Sequence, residues 1–112
     1  MHYQNPEDLK LAQKLAALAP GEAQAFVRFK SSAERADGII PLKYRELISL
    51  AVALAKQCAY CIDVHSKGAV RSGASPEELA ETVLVAAAVN AGAIVGHGLL
   101  ALRLASEEGN QG

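Results

Sequence analysis

Apolar positions recur along most of the chain at three- and four-residue intervals, the period of a helix with one buried face, and nowhere alternate with the period two of a half-buried strand. Asn5-Pro6-Glu7-Asp8 has the order of a helix start, with a capping side chain, proline at the first helical position and acids in the first turn. Leu9, Leu11, Leu15 and Leu18 then predict a short first helix that ends before Pro20. A second helix runs from Pro20 through Glu22, Phe26, Phe29 and Ala33 to near Asp37-Gly38, and a third begins at Pro41-Leu42 and carries Leu47, Leu50, Ala51 and Leu54. Beyond Lys56-Gln57 the cysteine segment opens a fourth helix, stopped by Gly73. Ser75-Pro76-Glu77-Glu78 is the strongest local signal: Ser75 caps, Pro76 takes the first position and Glu78 closes a capping box. It predicts a fifth helix to about Val89, a sixth from about Gly92 to Ala105, and a frayed tail from Glu107. The expectation is an all-α, compact bundle of about six helices forming one domain over residues 1–112.

Composition sharpens this picture. The chain has 112 residues, 51% of them apolar, but with only three Tyr, two Phe and no Trp. The apolar share is dominated by alanine, a strong helix former and a poor strand former, so helices must pack closely through small side chains. A domain of this size buries only about two-thirds of the surface its unfolded chain exposes. With few large side chains it would be marginal alone, and a homo-oligomer is expected. Eleven Lys and Arg against twelve Asp and Glu give a net charge of −1 with no basic tract, so nucleic acid is not an expected partner.

The amino terminus, Met1 to Asp8, has neither the basic start nor the apolar run of a secretory signal, and a cytoplasmic location is expected. From Thr82 to Leu102 no Asp, Glu, Lys or Arg occurs, about the length of a bilayer span, and Gly92 and Gly96 form G-x-x-x-G. The run is interrupted by Asn90, Gly92, Gly96, His97 and Gly98, and much of its apolarity is weak alanine. The favoured reading is a buried turn between two closely packed helices, with no membrane partner.

Cys58-Ala59-Tyr60-Cys61 in a reducing compartment is better read as redox-active or metal-binding than as a staple. Cys58, Cys61 and His65 stand at i, i+3 and i+7 and share one face of a helix. That helix begins near Cys58, where free amides and the positive end of the dipole favour a thiolate, so Cys58 is the candidate attacker on a partner disulfide. His65, one turn after Cys61, can take its proton, and the second thiol can resolve a sulfenic acid or mixed disulfide. The set suits reduction of a peroxide or disulfide without a bound cofactor. On one continuous helix Glu46 would lie about 18 Å from Cys58, too far to help. If the chain reverses near Lys56-Gln57, an antiparallel pair of helices brings Glu46 opposite His65, with small Ser49 and Ala53 permitting close approach. The two would then form a general-base pair one step from sulfur.

Glu46, eleven residues, Cys58-x-x-Cys61, three residues, His65 resembles the active-site pattern of the alkylhydroperoxidase D-like proteins in the carboxymuconolactone decarboxylase superfamily. Flanking segments resemble it too: Pro41-Leu42-Lys43-Tyr44-Arg45-Glu46-Leu47-Ile48 before the cysteines and Gly73-Ala74-Ser75-Pro76-Glu77-Glu78 after them, the likeness covering about residues 25–105. The resemblance implies an all-helical fold, trimers or hexamers with the hexamer favoured for so short a member, and a thiol-dependent peroxidase or disulfide reductase with an antioxidant role. Its substrate would be a hydroperoxide or small disulfide, and its electrons would come from a partner redox protein. Cys58 and Cys61 would be the redox pair, and Glu46 and His65 the proton relay. The founding peroxidases carry Ser-His between the cysteines where this chain has Ala59-Tyr60, so one histidine of that relay is absent. The superfamily's decarboxylases generally lack the cysteine pair, which counts against that alternative chemistry.

Blander readings stand beside these. The cysteines could be small buried apolar groups, or they and His65 could hold zinc with Glu46 or His97 as fourth ligand, in a non-catalytic helical module. Glu46 could simply pair with Lys43, and His65 could be a satisfied core histidine. Tyr60 could bring its hydroxyl to the thiols or cover them, and His97 could serve a subunit interface.

Overall fold

The computed structural model describes residues 5–109, and within them every regular element is helical, with no strand among the described residues. A 3₁₀ turn, Pro6–Leu11, leads into α1 (Ala12–Leu18), followed by α2 (Pro20–Ala33), α3 (Leu42–Ala55), α4 (Ala59–Arg71) and α5 (Pro76–Gly109). The all-α expectation holds, with five α-helices where six were expected. His2 and the last three positions lie outside the described residues.

Helix starts follow their caps. The Asn5 side chain accepts from the Glu7 amide at 3.0 Å. Ser75 Oγ accepts from the Glu78 amide at 3.1 Å, while Glu78 Oε1 accepts from the Ser75 amide at 2.9 Å, which is the reciprocal capping box the sequence encodes. Lys43 Nζ adds a salt bridge to the same carboxylate at 3.0 Å. These amide and ammonium donors hold Glu78 below the usual carboxylate value, the Ser75 amide contributing most, and Glu78 in turn raises Lys43.

Two of the helix ends share one device. At the end of α3, Gln57 adopts a left-handed φ of 55°, its amide donating to Leu54 O at 3.1 Å and the Cys58 amide to Ala53 O at 3.0 Å. Gly73, with φ of 97°, does the same after α4, with amides of Gly73 and Ala74 donating to Val70 O and Ala69 O. A left-handed non-glycine residue costs roughly 1–2 kcal/mol, so the bend at Gln57 is held by its hydrogen bonds and by α3 packing on α4. That bend reverses the chain and lays α4 antiparallel against α3.

α2 ends at Ala33, four residues before Asp37, and Arg45 fastens its end by donating from Nη1 to Ala33 O and from Nε to Ile40 O, both at 2.8 Å. The larger difference is α5. The turn and second helix expected around Asn90 and Gly92 are absent: α5 runs 34 residues without a break and stays helical past Glu107. No left-handed residue or proline interrupts it, and over residues 87–109 every position but Gly98 is exposed rather than buried in a turn. α5 packs on α3 near its start and is long and apolar enough by length and composition to cross a bilayer.

The core is correspondingly small. Leu47, Leu50, Ala53, Ala69 and Ala74 are its buried apolar members, and Leu79 packs against it. The accessible surface of 8706 Å² exceeds the roughly 5,900 Å² of a folded monomer of this mass.

Candidate active site

His65 is the one buried polar side chain among the described residues, and the antiparallel α3–α4 pair decides what it meets. Its Nδ1 lies 2.8 Å from Glu46 Oε2, the carboxylate retaining 15% of its exposure. Gly68, one turn beyond His65, makes this approach possible: a Cβ there would stand 2.6 Å from Glu46 Oε2. Lys43 does not take Glu46, being paired with Glu78 instead.

Cys58 sits at the N-cap of α4 and is disulfide-bonded to Cys61, with Cα atoms 5.3 Å apart. Its Sγ accepts a hydrogen bond from the Cys61 amide at 3.3 Å, so the sulfur occupies the place where a helix start stabilises negative charge. With the thiols joined to each other, neither is free for the tetrahedral site of the zinc reading in this state. Among the described residues no cluster of three or more His, Cys, Asp or Glu side chains has a metal-binding arrangement.

Cys58, Cys61 and His65 line one cleft of about 580 Å³ between α2, α3 and α4. Its lining includes Ser49 and Ala53, the small residues expected to let the helices approach, together with Phe26, Phe29, Ile48 and Val52. Tyr60 stands outside this group. Its hydroxyl donates to Asp8 at 2.7 Å and accepts from the Asn5 amide at 3.2 Å, so it ties the 3₁₀ turn to α4. The hydrogen bond to the Asp8 carboxylate raises the phenol above its ordinary value. His97 is exposed on α5 and takes no part in the cleft.

Three contributors were not singled out from the sequence. They are Glu34 at the end of α2, Arg45 on α3 and Gly68 on α4. Of these only Gly68 carried a readable signal, since an isolated glycine in a helical pattern often marks close packing.

A cysteine pair at a helix start, with an imidazole and a largely enclosed carboxylate behind it, is set in an all-helical frame. The comparisons with known proteins agree with the frame. The model of the carboxymuconolactone decarboxylase family matches residues 20–104. A crystal structure of a carboxymuconolactone decarboxylase family protein from Legionella pneumophila, in its apo form, superposes with a TM-score of 0.69 at 34% identity, covering 74% of this chain and 73% of that one. An uncharacterized protein of the cox locus of Paracoccus denitrificans is 43% identical over 72 residues, which are 64% of this chain and 65% of that protein, just under two-thirds of its length. An uncharacterized protein of Cupriavidus necator is 31% identical over 78 residues, 68% of this chain and 69% of that one. The chain belongs to the carboxymuconolactone decarboxylase family, as an alkylhydroperoxidase D-like member.

Proposed function

We propose that the protein is a thiol-dependent peroxidase of the alkylhydroperoxidase type, cycling between a Cys58–Cys61 dithiol and the disulfide, in a homo-oligomer for which a hexamer is favoured. The observation that carries this reading is the placement of the disulfide at the start of α4 in the same cleft as a His65 held by Glu46. One thiolate of the reduced pair attacks the terminal oxygen of a hydroperoxide, the O–O bond breaks, and the alkoxide leaves and takes a proton, giving a sulfenic acid and an alcohol. The second thiol attacks the sulfenic sulfur, forming the disulfide and releasing water. A dithiol on a partner redox protein then reduces the disulfide by exchange. His65, fixed at Nδ1 by Glu46, is the acid-base group that collects the thiol proton and returns it to the leaving oxygen. The Cys61 amide and the α4 dipole stabilise charge on Cys58 sulfur, which suits it to the exchange step.

The test is mass spectrometry of fully reduced protein before and after one equivalent of an organic hydroperoxide. The expected result is loss of two hydrogens, mapped to a Cys58–Cys61 peptide, with turnover abolished by replacing either cysteine with serine. Glu46→Gln and His65→Asn should slow oxidation by roughly 10 to 10⁴-fold. An unchanged mass in wild-type protein would overturn the reading and leave a non-catalytic helical module or a decarboxylase.

A further inference from the structure

His65 faces two carboxylates. Glu46 holds Nδ1, and on the other ring nitrogen Nε2 lies 3.6 Å from Glu34 Oε1. Glu34 is the C-cap of α2, and its placement there is fixed on several sides. Lys30 Nζ donates to both of its oxygens, at 2.7 and 2.6 Å. Arg45, beside Glu46 on α3, anchors the preceding carbonyl of Ala33 and so ties the end of α2 to the helix that bears the other carboxylate. Gly38 leaves the space that the Arg45 guanidinium fills.

The two carboxylates are not equivalent. Glu46 is the more enclosed, with 15% side-chain exposure, whereas Glu34 keeps 27% and lines the cleft together with both cysteines. The Nδ1 side of the ring is therefore closed, and the Nε2 side opens to the cleft past Glu34. A separation of 3.6 Å is beyond a direct hydrogen bond but within reach of one bridging water or a small side-chain shift.

We propose, resting on the peroxidase reading above, that Glu34 is the outer station of the proton path, carrying the proton between His65 Nε2 and the oxygen that leaves in the cleft. In the oxidative half-reaction the first thiol gives its proton to His65 and its electron pair to the terminal peroxide oxygen. The O–O bond breaks, and the alkoxide receives that proton from Glu34 after transfer from His65. The second thiol's proton leaves with the hydroxyl of the sulfenic acid as water, so no proton is gained from or lost to solvent overall. Glu34 reaches the thiols only through His65 but hands the proton to the leaving oxygen itself, with Lys30 fixing the carboxylate in register.

Groups facing this relay come from three helices: Lys30 on α2, Glu46, Arg45 and the cleft-lining Lys56 on and just after α3, and His65 with the two cysteines at α4. The experiment follows thiol loss from pre-reduced protein with tert-butyl hydroperoxide by stopped flow across about pH 5 to 8, where imidazole titrates. Glu34→Gln should lower the rate about tenfold and flatten its dependence on pH, Glu34→Asp should restore the wild-type profile with part of the rate, and Lys30→Met should displace the profile along the pH axis. A Glu34→Gln protein whose profile superimposes on wild type, whether or not its rate is lower, would overturn the relay while leaving the peroxidase intact. A wild-type protein that loses no thiols would overturn both.

Discussion

Gly68 shows how much one missing methyl group decides at the site. Inside a helix, glycine to alanine is normally favourable by about 1 kcal/mol. Here the added Cβ would meet Glu46 Oε2 at 2.6 Å, and overpacking of this kind costs about 1–3 kcal/mol. Gly68→Ala should therefore lower stability by about 1 kcal/mol and push the carboxylate off His65, slowing the proposed peroxide reduction. Gly21→Ala, where nothing lies within 4 Å, should raise stability instead. Thermal melts of the two variants with matched oxidation rates check this, and a Gly68→Ala protein that is as stable and as fast as wild type contradicts it. Of the site's residues, Cys58, Cys61 and His65 could be named from helical spacing, and Glu46 from a chain reversal expected near Lys56-Gln57 that sets it opposite His65. Glu34 and Arg45 could not. Their importance comes from where α2 ends relative to α3, and spacing along one helix carries no information about the neighbour.

At the scale of elements, starts were more legible than ends. Caps are local chemistry: Asn5, Ser75 and Glu78 announce themselves within four residues, and the hydrogen bonds they make are those their side chains allow. Stops depend on whether any residue adopts the left-handed conformation. Gly73 does so as expected, but Gln57 does it without a glycine, and Gly92, Gly96 and Gly98 remain helical. Glycine permits a stop without requiring one, and in α5 no proline or capping side chain converts that permission into a turn. The Glu78 cap also sets a pH dependence. Its carboxyl is lowered from 4.5, first by the Ser75 amide and then by Lys43. The stability it contributes is present above 4.5 and is lost as pH falls through the lowered folded value. Lys43 is the converse case: raised from 10.5, it contributes fully below that value and is lost as pH rises through its folded one. Glu78→Gln keeps the capping geometry and removes the charge. Its melting temperature should fall below wild type at neutral pH, with the gap closing as pH drops below 4.5. A gap that persists in acid would remove the charge from the account.

For the whole molecule, the decisive quantity is apolar surface left bare. The radius of gyration is 19.0 Å against about 13 Å for a compact chain of this length. The accessible area exceeds that of a folded monomer by roughly 2,800 Å², in the range that obligate subunit interfaces bury. Leu84, Val95, Leu99 and Leu102 contribute to this along one side of α5, each about two-thirds exposed. The proposed homo-oligomer accounts for that side, and sedimentation in detergent-free buffer should find a discrete assembly larger than one chain. Val95→Glu with Leu99→Glu should shift it to smaller species, and a wild-type protein that sediments as a monomer, or only dissolves with detergent, contradicts it. The unbroken course of α5 then has a mechanical meaning. Its base packs on the same helix that carries Glu46, and its far end reaches beyond its own subunit's core, so in such an assembly each arm is a tenon seated in a neighbour. A subunit leaving such an assembly would pull on the helix that carries Glu46, so the joint and the proposed chemistry of the sulfurs would be lost together.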